Sequence, residues 1–177
     1  MALYQPAEDS QLLESIIPNY VQNKSVLDLG SGSGILAKSA LNNNALSVTA
    51  ADINPEAKLQ LPKEIKFIES DLFSNISKKY DLIIFNPPYL PEDEREPISS
   101  RTATTAGKRG DEIILEFIKH APIYLNQDGK ILLLLSSQTP LDKINKLLKK
   151  LTFSKKVIAK KKLFMEELYV FEIAHHL

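Results

Sequence analysis

The sequence of 177 residues contains no cysteine. Disulfides, thiolate metal ligands and cysteine nucleophiles are all excluded by that absence, which suits a reducing compartment. An excess of one charge is also lacking, since 22 Lys and Arg balance 22 Asp and Glu. A formal net charge of zero gives no global field that would draw the chain to nucleic acid or an anionic membrane. Long apolar runs are missing too. The longest, residues 131–135, is far too short to span a bilayer. The opening residues do not read as a basic, apolar and small-residue signal peptide, so a cytoplasmic protein is expected. His120, His175 and His176 have no metal-ligand spacing and read as surface or terminal residues, so no metal site is expected.

What is present is alternation. An apolar fraction of 44% supplies one sizeable core, and a single domain over residues 1–177 is expected. Residues 1–24 read as a lead-in with a helix at about 9–17, stopped by Pro18. Compact apolar runs at 25–29, 46–51, 65–69, 81–85 and 130–136 read as buried parallel strands. Helical periodicity separates them at 33–42, at 111–125 (apolar face Ile114, Leu115, Ile118 and Pro122 or Ile123) and at 141–151. Two final segments, about 155–160 and 167–174, alternate apolar and polar residues as an antiparallel pair does. The predicted fold is α/β, an open and mostly parallel sheet with right-handed crossovers.

Ligands of such sheets bind beyond the carboxyl ends of the strands. Three motifs end strands in that way. The first strand runs into Asp28-Leu29-Gly30-Ser31-Gly32-Ser33-Gly34. A dinucleotide fingerprint, counted from Gly30, needs its third glycine at position 35, which is Ile35. The leading carboxylate, Asp28, disfavours a pyrophosphate and suits the cationic amino group and sulfonium of S-adenosylmethionine (AdoMet). Asp52 follows Gly30 by 22 residues, where a carboxylate can accept ribose hydroxyls. The third strand ends in Ser70-Asp71-Leu72-Phe73, where Asp71 can accept an adenine amino group while Leu72 and Phe73 cover the ring.

The fourth strand ends in Asn86-Pro87-Pro88-Tyr89. A turn would explain the prolines, but not the asparagine before them and the tyrosine after them. Two prolines remove two backbone donors and stiffen the loop. The Asn86 side-chain oxygen and the Pro87 carbonyl then form a fixed pair of acceptors for a planar NH₂ group, and Tyr89 can stack on it. An amide or aromatic amine is a poor nucleophile because its lone pair is delocalised. Two acceptors that bind more strongly as positive charge develops favour the transition state. The catalytic candidates are therefore Asn86, Pro87 and Tyr89. With Pro88 they make the substrate site, and Asp28, Gly30, Gly32, Asp52, Asp71, Leu72 and Asn86 are the cofactor candidates.

These motifs together with Tyr4-Gln5-Pro6-Ala7-Glu8-Asp9-Ser10, Asp52-Ile53-Asn54-Pro55 and Gly107-Lys108-Arg109-Gly110 resemble the protein-glutamine N5-methyltransferases of class I release factors. The resemblance covers nearly the whole chain. It implies a seven-stranded, Rossmann-like AdoMet-dependent fold of order 3-2-1-4-5-7-6, and a substrate, the glutamine in the Gly-Gly-Gln loop of a translation termination factor. The opening segment resembles the archaeal and eukaryotic branch, which lacks the bacterial N-terminal substrate-binding domain. Only 24 residues precede strand one here, as that branch implies. Pro6, Glu8 and Asp9 would then border the pocket. The branch also implies a small zinc-binding activator subunit docked at the third strand, which would be an exposed sheet edge. Two features depart from the pattern. Ala106 stands where relatives carry a glycine, and the crossover between Asp52 and Ile65 leaves room for one or two helical turns.

Local charge separates the competing substrates. Glu92, Asp93, Glu94 and Glu96, with Arg95 the one cation among them, follow the reactive tetrapeptide. Beside an acceptor site they would repel phosphate and welcome a basic protein loop, so nucleic acid is not the expected partner. Seven lysines without acids at 149–162 read as a solvated helix end and hairpin, with RNA contact as the rival reading. The alternative activity is a nucleic-acid amino-methyltransferase acting on adenine N6 or guanine N2, which would use the same tetrapeptide. A non-catalytic AdoMet-binding subunit would not need that tetrapeptide intact.

Overall fold

The computed structural model describes residues 6–88 and 111–175. Seven strands, β1 (Ser25–Leu29), β2 (Ser47–Asp52), β3 (Lys66–Glu69), β4 (Tyr80–Phe85), β5 (Leu125–Ser136), β6 (Phe153–Lys162) and β7 (Glu167–His175), form one sheet. Their order is β3-β2-β1-β4-β5-β7-β6, the order that the resemblance implies. The first five pair in parallel, and β7 runs antiparallel to both β5 and β6.

Strand pleating sorts alternate residues onto two cores. On one face Leu27, Leu29, Ile83, Phe85, Ile131, Leu133 and Leu135 meet α3 (Glu112–His120) and α4 (Leu141–Lys150) through Ile114, Phe117, Ile118, Ile144 and Leu148. On the other, Val26, Val48, Leu82, Ile84, Leu132 and Leu134 meet α1 (Glu8–Glu14) and α2 (Ile35–Asn42) through Leu13, Leu36, Ala37 and Ala40. The unbroken run 131–135 therefore serves both layers at once.

Several boundaries differ from expectation for local reasons. The helix expected over 111–125 stops at His120, and a 3₁₀ turn at Ala121–Tyr124 takes over before Leu125 opens β5. Pro122 has no N–H for an α-helical bond, and Ile123 is exposed, not part of the apolar face. The lead-in helix ends at Glu14, and Pro18 sits inside a separate 3₁₀ turn, Ile17–Asn19. The short crossover after β2 contains a 3₁₀ helix, Pro55–Gln60, whose N-terminus is capped by the Asn54 side chain accepting from Glu56 N–H at 3.0 Å.

The two edges of the sheet are unlike. Among the described residues β3, four residues long, pairs with β2 alone. β6, at the opposite edge, carries Lys155, Lys156, Lys160, Lys161 and Lys162, with a register shift between Val157 and Ala159. Several of these lysines are tied down: Lys156 pairs with Glu172 at 2.9 Å, Lys160 with Glu167 at 3.7 Å, and Lys155 sits 4.1 Å above the Phe171 ring. The basic stretch is thus largely an edge guard.

Candidate active site

The loop after β1 is built on left-handed backbone. Gly30, Gly32 and Gly34 have φ of +67°, +49° and +74°, a region in which L side chains are strained. Two amides of the loop, Gly30 N–H and Ser31 N–H, donate to the Ala51 carbonyl at 2.7 and 3.0 Å, latching the loop to β2. At Gly34 space is also lacking, because a Cβ would stand 2.3 Å from Leu61 Cδ2.

Asp28 lies beneath this loop, fully buried. Its Oδ2 accepts from Ala37 N–H, in the first turn of α2, at 2.9 Å. The N-cap of α2 is Gly34, which has no side chain to offer, so the strand carboxylate satisfies a free helix amide in its place. Asp28 Oδ1 has no partner. Burial pushes this carboxyl up to about 7, against the Ala37 hydrogen bond that favours ionisation, and the nearby Asp52 charge adds to the rise.

Asp52 closes β2 and grips the loop from the other side. Its Oδ2 accepts from Gly32 N–H at 2.8 Å and its Oδ1 from Asn54 N–H at 2.8 Å. A carboxylate has about four lone-pair positions, so acceptor capacity remains. After β3, Asp71 is exposed, and its N–H donates to Ser74 Oγ at 3.1 Å. Leu72 is half-buried with φ +44°, strained for a leucine. Phe73 departs from expectation. It does not flank Leu72 as ring cover but is buried in the core, stacked on Tyr124 at 4.6 Å and on Phe117 at 5.6 Å.

At the end of β4 the Asn86 amide has a fixed orientation. Its Nδ2 donates to Asp9 Oδ2 at 3.2 Å and to Ser10 Oγ at 3.3 Å, both on α1 and both buried. An acidic partner can accept only from the NH₂ side, so the amide oxygen is turned the other way. That oxygen, Oδ1, is buried and unpartnered. Pro87 is buried and Pro88 half-buried. Tyr89, Glu92 to Glu96 and the segment 106–110 lie outside the described residues, as do Tyr4 and Gln5.

Among the described residues four buried side-chain polar atoms lack a partner: Asp28 Oδ1, Ser31 Oγ, Asn86 Oδ1 and Thr139 Oγ1. The first three sit at the carboxyl ends of two adjacent strands, β1 and β4, or in the loop leaving β1. Each unpaired buried group costs roughly 1–3 kcal/mol. Three such costs at one place mark a site shaped for a polar ligand. Ser31 and Ser10 were not singled out from sequence, since a serine between glycines or at a helix start has many ordinary uses. Among the described residues no group of three His, Cys, Asp or Glu could hold a metal.

A family model, Methyltransferase small domain, matches residues 7–165. The chain belongs to this family. It is 42% identical over 179 aligned positions, covering 95% of this chain and 89% of the relative, to a Methanocaldococcus jannaschii protein provisionally named a protein N5-glutamine methyltransferase. It is 38% identical, over 71% of its length, to the release factor glutamine methyltransferase of Streptococcus pneumoniae, about half of whose length (51%) it spans. A solved complex of E. cuniculi Mtq2 with Trm112 shares the fold, with a TM-score of 0.80 at 24% identity over 99% of both chains.

Membership makes the chain an AdoMet-dependent methyltransferase, and the residues present fit that cofactor. A buried carboxylate oxygen without a partner suits an ammonium group, and the left-handed glycine loop leaves backbone open to close approach.

Proposed function

We propose that this enzyme methylates the side-chain amide nitrogen of a protein glutamine, the one in the Gly-Gly-Gln loop of a class I translation termination factor. The observation that carries the reading is the unpartnered Asn86 Oδ1, held in one orientation by Asp9 and Ser10. A glutamine NH₂ has two hydrogens, one for Asn86 Oδ1 and one for the Pro87 carbonyl. The names of the M. jannaschii and S. pneumoniae relatives support glutamine as the acceptor, and the latter's name supports the release factor.

AdoMet supplies an electrophilic methyl group. Asp28 Oδ1 and the Gly30–Gly34 loop would hold the cofactor's amino-acid end, Asp52 its ribose, and Asp71 with Leu72 its adenine. Asn86 and Pro87 draw electron density onto the glutamine nitrogen and fix its direction of attack. As the N–C bond forms at the expense of the methyl–sulfur bond, whose electron pair would stay on sulfur as a neutral thioether, the nitrogen becomes positive and both hydrogen bonds tighten. One amide proton then leaves for solvent. Tyr89, next in the tetrapeptide, supplies by its residue type a ring suited to stacking on a planar amide.

The short β3 edge suits a small zinc-binding activator subunit in the cytoplasm. Phe67 and Ile68 are only half-buried there, and Leu59 and Ile53 in the neighbouring crossover are 81% and 54% exposed. The E. cuniculi neighbour in fold was solved as a complex of two proteins, Mtq2 and Trm112, described as responsible for methylation of the eRF1 translation termination factor.

The test is labelled AdoMet with the purified protein, with and without activator, offered release factor, tRNA, ribosomal RNA and DNA in parallel. Label is expected on the release factor. Label on nucleic acid and none on the factor would overturn the reading in favour of the amino-methyltransferase alternative.

A further inference from the structure

Two large apolar side chains stand in solvent at the turn between β6 and β7, Phe164 at 98% and Met165 at 78% exposure. The turn is not a loose end. Leu163 N–H donates to the Glu166 carbonyl at 2.8 Å, Ser137 N–H to the Glu167 carbonyl at 2.8 Å, and Glu167 N–H to Ser137 Oγ at 3.0 Å. Ser136 Oγ bonds the Glu166 carboxylate, and Leu163 packs against the α1–α2 core. The tip is therefore clamped in a shape that keeps Phe164 and Met165 outside.

Its location matters. β7 pairs antiparallel with β5, Leu168 opposite Ser136, so the turn lies at the carboxyl end of β5. Asn86 leaves β4 at the same end, since Phe85 pairs with Leu133. α1 joins the two places. Glu8 pairs with Lys161 at the root of the hairpin at 3.9 Å, and its neighbour Asp9 accepts from Asn86. Lys160, Lys161 and Lys162 lead into the turn, and the acids beside it, Glu166 and Glu167, are engaged internally with Ser136, Lys160 and Tyr169.

We infer that this tip is a second docking point for the protein substrate. Phe164 and Met165 contact an apolar patch on the body of the folded factor while the glutamine loop occupies the site at Asn86. The inference rests on the protein-glutamine reading and adds the surface that selects the substrate. A rigid apolar tip whose neighbouring lysines, Lys160 and Lys161, are paired with Glu167 and Glu8 offers apolar area without a basic field, which fits the apolar surface of a folded protein. A nucleic acid could stack a base on Phe164, but lysines paired within the chain leave little charge for its phosphates.

The test is the double variant Phe164→Ser/Met165→Ser, assayed on intact release factor with activator saturating. Both side chains are exposed, so thermal unfolding and AdoMet affinity should be unchanged. The expected result is a KM for the factor raised about tenfold with kcat nearly unchanged, the loss of one apolar anchor. An unchanged KM, or a loss confined to kcat, overturns the docking role. A shift in the activator concentration needed for half activity assigns the tip to the activator instead. Faster sedimentation of the wild-type chain alone, abolished in the variant, assigns it to a second copy. If the wild-type enzyme labels nucleic acid and not the factor, the protein-substrate reading itself has failed, an outcome separate from the others.

Discussion

Asp9 accepts a hydrogen bond from the Asn86 side-chain nitrogen at 3.2 Å, across 77 positions of sequence. The contact leaves the amide oxygen, not the NH₂, facing the proposed acceptor site. Without it the NH₂ end could turn inward and present a donor to a substrate that is itself a donor. Asp9→Ala should therefore lower kcat by about tenfold or more, the scale of one lost charge-assisted hydrogen bond, with AdoMet affinity preserved. Asp9 acts here as a positioning residue, so a cycle with Asn86→Ala should be strongly non-additive. Additive losses would show that Asp9 does something unconnected with Asn86.

In the proposed mechanism Asn86→Ala removes an acceptor whose bond strengthens as charge develops. Turnover should fall by roughly a hundredfold to a thousandfold, about 3–4 kcal/mol by analogy with single oxyanion-hole donors. Calorimetric AdoMet affinity should barely move. Lost cofactor binding with intact turnover per bound cofactor would make Asn86 a cofactor residue and refute its catalytic assignment.

The Asp28 carboxyl is raised from 3.8 to about 7 in the folded chain. Between these values the folded chain keeps a proton that the unfolded chain has released. The stability from this group is thus complete below the unfolded value and is lost as pH rises through about 7. The loss is of the order of a few kcal/mol. Denaturation of the free protein at about pH 5 and about pH 8.5 should show it, and Asp28→Asn should flatten the difference. An ammonium group at Oδ1 favours the ionised form, so AdoMet should bind more tightly as pH rises through this window. Its binding near neutrality should release a proton, measurable by calorimetry in buffers of different ionisation enthalpy.

Gly34→Ala combines a left-handed φ with a Cβ at 2.3 Å from Leu61. The backbone term alone is about 1–2 kcal/mol. Adding Leu61→Ala should relieve the clash and leave the backbone term, so the double variant should recover part of what the steric term removed. Thermal denaturation reads both. Full recovery would mean that the loop can leave its left-handed form without cost.

Strands and the loops that end them are local, and so they are legible in the sequence. The strands, the glycine loop and the placement of Asp52 and Asn86 at strand ends follow from short apolar runs and the residues that stop them, whereas the order of the strands in the sheet is not local and rests on the resemblance. Helix ends were harder. Pro122 looked tolerable on an apolar face, yet its missing N–H moved the end of α3 back to His120. Phe73 was misread because an aromatic after Asp71 has two apolar places to go, ligand or core, and only the stacking partners Phe117 and Tyr124 decide between them. The orientation of Asn86 was invisible as well. It depends on a contact with α1 that no spacing rule encodes, although the resemblance had placed Asp9 near the pocket.

The unlike edges of the sheet set a limit on assembly. Two copies meeting through β6 would bring lysine rows face to face, and that repulsion is strongest when the strands are best aligned. At β3 the row is four residues long and ends in one cation and one anion, Lys66 and Glu69, with apolar side chains between them. Strand addition is therefore open on one side of the molecule and closed on the other. A chain that gains a strand at β3 cannot pass the pairing onward, so the sheet grows by one partner and stops.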